Sequence, residues 1–156
     1  MFINENGFAS ASSEYGGYPA SNGFKDGGRP WRSSWNPTIP QLIWFEFNKS
    51  YRPAKITFKR RQDGHGKAKH TTPIKFEFVG GSATGSEKCA VSSHWITICD
   101  TAYSEDGSLN EPRECHVDEA QAKSKSQFRC LGVKVLEVSG EKKGAALQDI
   151  RIWIWQ

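Results

Sequence analysis

Apolar and polar residues alternate in six short runs: Gln41–Phe47 (QLIWFEF), Ala54–Phe58 (AKITF), Ile74–Val79 (IKFEFV), His94–Cys99 (HWITIC), Arg129–Val138 (RCLGVKVLEV) and Asp149–Trp155 (DIRIWIW). Successive side chains of a strand point to opposite faces, so this period of two, rich in β-branched and aromatic residues, predicts six strands. In the last run Ile150, Ile152 and Ile154 share one face, while Arg151, Trp153 and Trp155 share the other. The isoleucines are expected to face the core, and the tryptophans a second layer, a covering loop or a partner. The one helix-friendly window, Glu119–Lys125 (EAQAKSK), has no apolar stripe to bury and supports at most a short turn. Long connections fall at Asn22–Pro40, Arg61–Pro73 and Thr101–Ser126. In a compact domain, connections of this length are more often functional than accidental.

Composition sharpens this picture. A chain of 156 residues suits one domain spanning 1–156, since two half-sized cores would each bury too little apolar surface. Six Trp and nine Phe exclude a disordered chain, and fifteen Gly and seven Pro, mostly between the apolar runs, favour an all-β fold. The formal charge of +4 is modest and does not point to nucleic acid as a partner. No stretch approaches the roughly 20 apolar residues of a membrane-spanning helix. The first residues are polar, with neither the basic nor the apolar segment of a secretory leader. Two settings fit: a cytoplasmic protein, or a domain excised from a longer secreted chain. Cys89, Cys99, Cys115 and Cys130 permit two disulfides in three pairings, and the lack of a CxxC phrase argues against zinc. The triplet Asn48-Lys49-Ser50 is a glycan acceptor only in a secreted chain, and such triplets are common by chance.

The phrase SSEYGGYPASNGFKDGGRPWRSSW, followed by PQLIWFEFNKSYRPAKITF, resembles the opening of discoidin-type domains of the coagulation factor V/VIII C-terminal family. The ending FRCLGVKVLEVSGEKKGAALQDIRIW resembles that family's closing strands. The resemblance implies an all-β, eight-stranded antiparallel jelly-roll-like β-sandwich with ligand loops at one end. It does not fix the ligand, because relatives bind anionic phospholipid, sugars, sulfated glycans, collagen or other proteins. Many secreted members tie their ends with a disulfide. Here no Cys precedes Cys89 or follows Cys130.

Two loops carry the candidate chemistry. The first, Lys25–Trp35, sets Trp31 and Trp35 among cations that include Arg29 and Arg32. An exposed indole stacks on a sugar face or enters a lipid interface, and a guanidinium binds phosphate, sulfate or hydroxyl oxygens. The resemblance also offers Trp31 an inward-packing role. The second loop belongs to the chain's basic cluster, Arg52 to His70, with seven Lys or Arg against one acid. Its candidates are Arg60, Arg61, His65, Lys67, Lys69 and His70, suited to an anionic surface or glycan. No Phe, Leu, Met or Trp lies between Arg60 and His70, which disfavours deep membrane insertion. Asn22, Asp26 and Asp149 fall where related domains bind a structural Ca²⁺ by loop oxygens; alternatively, Asp26-Gly27 is a turn and Asn22 a capping residue.

For catalysis, His65, His70, His94 and His116 are scattered, and no nucleophile, zinc or phosphate-loop motif is present. Cys115 and His116 are adjacent on one strand, so their side chains point apart. The expectation is a non-enzymatic module recognising carbohydrate, in several copies for avidity, as a homo-oligomer or as tandem domains. The alternative is a protein-interaction module of a larger assembly, and the third reading is an anionic-membrane binder.

Overall fold

The computed structural model describes residues 7–34, 39–60, 71–82, 87–102, 112–117, 127–138 and 144–155. Its elements are β1 (Gly7–Ala11), a single helical turn α1 (Ala20–Gly23), β2 (Trp31–Arg32), β3 (Gln41–Arg60), β4 (Pro73–Gly81), β5 (Trp95–Ala102), β6 (Arg113–His116), β7 (Phe128–Val138) and β8 (Ala146–Trp155). All strand pairs are antiparallel. β3 organises the sheet. Its first half pairs with β1 and β7, its second half pairs with β6 and β8, and the register shifts between Glu46 and Tyr51. The eight strands therefore form one sheet folded across the middle of β3, giving two layers: β1-β3-β7-β4-β5 and β2-β8-β3-β6.

The alternating pattern explains why the layers close. On the first layer Ile43, Phe45, Phe47, Phe76, Phe78, Leu131, Val133 and Val135 point inward; on the second, Trp31, Ile56, Phe58, Leu147, Ile150, Ile152 and Ile154 meet them. Arg151, Trp153 and Trp155 take the opposite face, as the alternation predicts, and the Lys55 ammonium lies 4.3 Å from the Trp153 ring centroid. A second apolar cluster lies on the outer face of the first layer, where Leu42, Trp44, Val79 and Cys130 pack with Cys89 and Trp95. The Cys89–Cys130 disulfide fastens the 87–93 segment over that face, and Cys99–Cys115 joins β5 to β6. The pairing left open by the sequence is thus settled in this structure, with Cα separations of 6.6 and 6.3 Å.

Three strands escape the alternation. β2 is two residues long, β1 is the small-residue run GFASA, and β6 hides Arg113 and Cys115 behind a polar sequence, RECH. The predicted runs 41–47 and 54–58 are one strand rather than two. The helical turn lies at Ala20–Gly23, whereas the window Glu119–Lys125 is outside the described residues.

Candidate ligand-binding site

The stems of the first loop and of the basic loop meet at the start of β8. Arg32 on β2 pairs with Ala146, and Arg60 on β3 pairs with Leu147, so the two arginines flank β8 from either side. On the far side of the basic loop, the Ala146 N–H donates to the Thr71 carbonyl at 3.0 Å. Thr71 and Thr72 are fully buried. Beside them Ser33 and Ala145 exchange two hydrogen bonds, Ser33 N–H to the Ala145 carbonyl and Ala145 N–H to Ser33 Oγ, each 2.9 Å. Gly144 has φ +107°, and a Cβ there would sit 2.8 Å from Ser33 Oγ, so both the backbone conformation and the close approach require glycine.

A serine network stiffens this end. Ser12 and Ser13 hydroxyls donate to Gln41 Oε1 at 2.8 and 2.6 Å, and the Ser34 N–H and hydroxyl reach Ser13 Oγ at 3.0 and 3.1 Å. Short polar side chains that bond neighbouring backbone groups suit loop stems, where no ladder serves those groups. Sequence reasoning missed these residues, because serines in a mixed polar segment carry no periodic signal.

The candidate residues separate sharply in position. Trp35, Arg61, His65, Lys67, Lys69 and His70 lie outside the described residues. Trp31 is fully buried, and its indole N–H donates to the Ser13 carbonyl at 3.0 Å. That corrects the stacking role considered for it: the ring is part of the core and presents no face to a ligand. Arg32 is also buried, with its guanidinium carbon 4.6 Å from the Tyr15 ring centroid and 5.2 Å from that of Tyr18. That burial corrects the surface-contact role considered for it. Arg29 is exposed and lies 5.9 Å from the Tyr18 centroid, and Arg60 is half-buried. Tyr15 and Tyr18 bridge across Gly16-Gly17, and Tyr15 is 42% exposed. These two rings were also missed, although a Tyr-Gly-Gly-Tyr phrase is a hairpin signal that brings both aromatics together. Exposed Tyr15 and Arg29, over buried Arg32, combine a flat apolar face with charged donors.

Of the three residues considered for Ca²⁺, Asp149 and Asp26 have charged protein partners. Asp149, with φ +50°, accepts the Gly27 N–H on Oδ1 at 2.9 Å and faces Lys59 Nζ from Oδ2 at 3.2 Å. Asp26 Oδ1 faces Arg151 Nη2 at 2.9 Å. Asn22 lies in α1, where its carbonyl accepts the Lys25 N–H. Calcium takes six to eight oxygens, and here the Asp149 carboxylate and one Asp26 oxygen already face protein cations. Among the described residues, the grouping of three metal-ligating types is Glu46 with Cys89 and Cys130, and there the sulfurs are bonded to each other.

No protein-family model matches the chain, and no curated protein matches it in sequence. Solved structures do match in three dimensions. The family 32 carbohydrate-binding module of C. perfringens NanJ, in complex with galactose, superposes with a TM-score of 0.68 at 18% identity, covering 94% of this chain and 92% of that one. The chain has its fold. CpGH89CBM32-5 from Clostridium perfringens, in complex with GalNAc-β-1,3-galactose, gives 0.69 at 19%, covering 95% of each chain. Chitosan-binding module 1 of a chitosanase/glucanase from Paenibacillus sp. IK-5 gives 0.66 at 17%, again covering 95% of each. At such identities the likeness is one of architecture, and that architecture is close to the discoidin-type sandwich that the sequence resembles.

Proposed function

We propose that this chain is a non-enzymatic carbohydrate-binding module whose ligand site is built on the loop stems at the start of β8. The observation that carries the reading is the convergence of Arg32, Arg60, Ser33, Thr71 and Gly144 on Ala145–Leu147, in a sandwich shared with modules solved in complex with sugars. Rigid strands and a hydrogen-bonded base hold a site in a fixed frame, which lowers the ordering cost of binding a weakly held sugar. The exposed tyrosine and arginine beside that frame provide a stacking face and hydroxyl-directed donors. Two disulfides support an extracellular setting, where such bridges persist. That setting favours glycan over the intracellular assembly reading.

The test is a glycan array carrying neutral and acidic sugars, probed with the intact chain and with Arg29→Ala and Tyr15→Ala. Discrete hits that weaken in either variant support the assignment. A blank array at high protein density, or hits indifferent to both substitutions, would sink it. Affinity for neutral sugars should change little between low and physiological salt, because no ion pair with the ligand is screened.

A further inference from the structure

We propose a second ligand site, for a carboxylate-bearing sugar residue, at the end of the first layer remote from the loop stems. A cleft of about 460 Å³ lies there, lined by Gly7, Phe8, Glu46, Phe47, Lys88 and Arg129, with Asn48 at its edge. Glu46 is five residues along β3 from Gln41, about 17 Å at the rise of a strand, and none of the described loop-stem residues lines this cleft. Its volume falls within the range of small-ligand sites and accommodates one or two sugar rings.

The lining combines the three elements that an acidic sugar needs. Phe8 sits on the edge strand β1 opposite Glu46 and is 71% exposed, the most exposed large apolar side chain among the described residues. A flat ring left in water is a platform for the apolar face of a pyranose. Lys88 holds its ammonium 5.6 Å from that ring and meets no carboxylate among the described residues. Arg129 is fixed from below: Nη2 faces Glu46 Oε1 at 3.1 Å, and Nε donates to the Phe47 carbonyl at 3.4 Å. Glu46 itself is buried, and its other oxygen accepts the Cys89 N–H at 3.2 Å. Both carboxylate oxygens are therefore engaged in positioning. Among the described lining residues the buried acid compensates one cation, and Lys88 adds the charge of a second beside an aromatic face.

That excess positive charge selects an anion, and the ring selects a cyclic one. A hexuronic or sialic acid unit supplies both, with its carboxylate toward Lys88 and Arg129 and its ring face on Phe8. The site is independent of the loop-stem reading, since none of its residues belongs to that end.

The experiment is a titration of the ¹⁵N-labelled intact chain, followed by amide shifts, with D-glucuronic acid and N-acetylneuraminic acid. D-glucose and acetate serve as the neutral-ring and ringless controls. The expected result is saturable shifts in the millimolar range at residues 7–8, 46–48, 88–89 and 129 with at least one acidic sugar. Lys88→Ala and Phe8→Ala, both on exposed side chains, should each weaken that response about fivefold or more while leaving the melting temperature in place. Arg29→Ala should leave it unchanged, which separates this site from the first. Shifts of equal strength with acetate or glucose, no saturable shift at these residues, or a response indifferent to Lys88→Ala and Phe8→Ala would each overturn the proposal.

Discussion

Replacing Asp149 removes the pin that fastens the first loop to the last strand, and its three parts can be separated by the choice of substitute. The charged hydrogen bond from the Gly27 N–H is the strongest of the three, about 2 kcal/mol for a largely buried carboxylate. The Lys59 pair adds less, about 1 kcal/mol, because the lysine is 37% exposed and solvent screens it. The backbone at φ +50° adds a further ~1 kcal/mol against any residue that does not tolerate the left-handed region. Asp149→Ala loses all three, about 4 kcal/mol, which for a chain of this length lowers the melting temperature by about 8–16 °C. Asp149→Asn retains the backbone preference and a neutral acceptor for Gly27, and should lose only about 2 kcal/mol, half the loss of the alanine variant. Differential scanning calorimetry in Ca²⁺ and in chelator reads both effects. Because Lys59 already faces the carboxylate, wild type should melt at the same temperature in either buffer. An Asp149→Ala protein as stable as wild type, or a wild type that loses several degrees in chelator, would refute this reasoning.

Other substitutions follow from the packing. Gly132→Ala places a methyl against the Ile43 carbonyl and 2.8 Å from Trp44 Cβ, so chemical denaturation should show a loss of about 2–3 kcal/mol. Trp31→Phe removes a buried hydrogen bond to the Ser13 carbonyl and should lower stability by about 1–3 kcal/mol, with sugar affinity in isothermal titration unchanged because the ring meets no ligand. The double variant Cys89→Ser/Cys130→Ser opens a 41-residue separation and should lose about 4 kcal/mol by chain entropy, with a rise in dye binding as the Trp44 cluster is uncovered.

Much of the sandwich was legible because burial follows strand period. Ile150, Ile152 and Ile154 turned inward as their alternation required, and β3, β4, β5, β7 and β8 all contain predicted runs. What escaped depends on partners distant in sequence. β6 reads as polar because Arg113 is buried, and β1 is recognisable only once Phe45 and Phe47 are there to cover it. The site was less legible than the fold for the same reason. Residue type flagged Arg29, Trp31 and Arg32 alike, yet strand parity sends Trp31 into the core opposite Leu147, and two tyrosines upstream capture Arg32. Asp149 stands out as an acid on the final strand, but its partner Lys59 is 90 positions away in the chain's basic cluster, and nothing in the local pattern joins the two.

The way β1 and β8 attach to β3 has a mechanical consequence. Gly7 pairs with Phe47 and Trp155 with Arg52, so β1 begins and β8 ends beside the bend where β3 passes from one layer to the other. Tension applied at these two strand ends would peel each strand from its terminal pair, breaking backbone hydrogen bonds one after another and never loading them together in shear. Strung in series, such units would yield at low force and lengthen early, acting as compliant links.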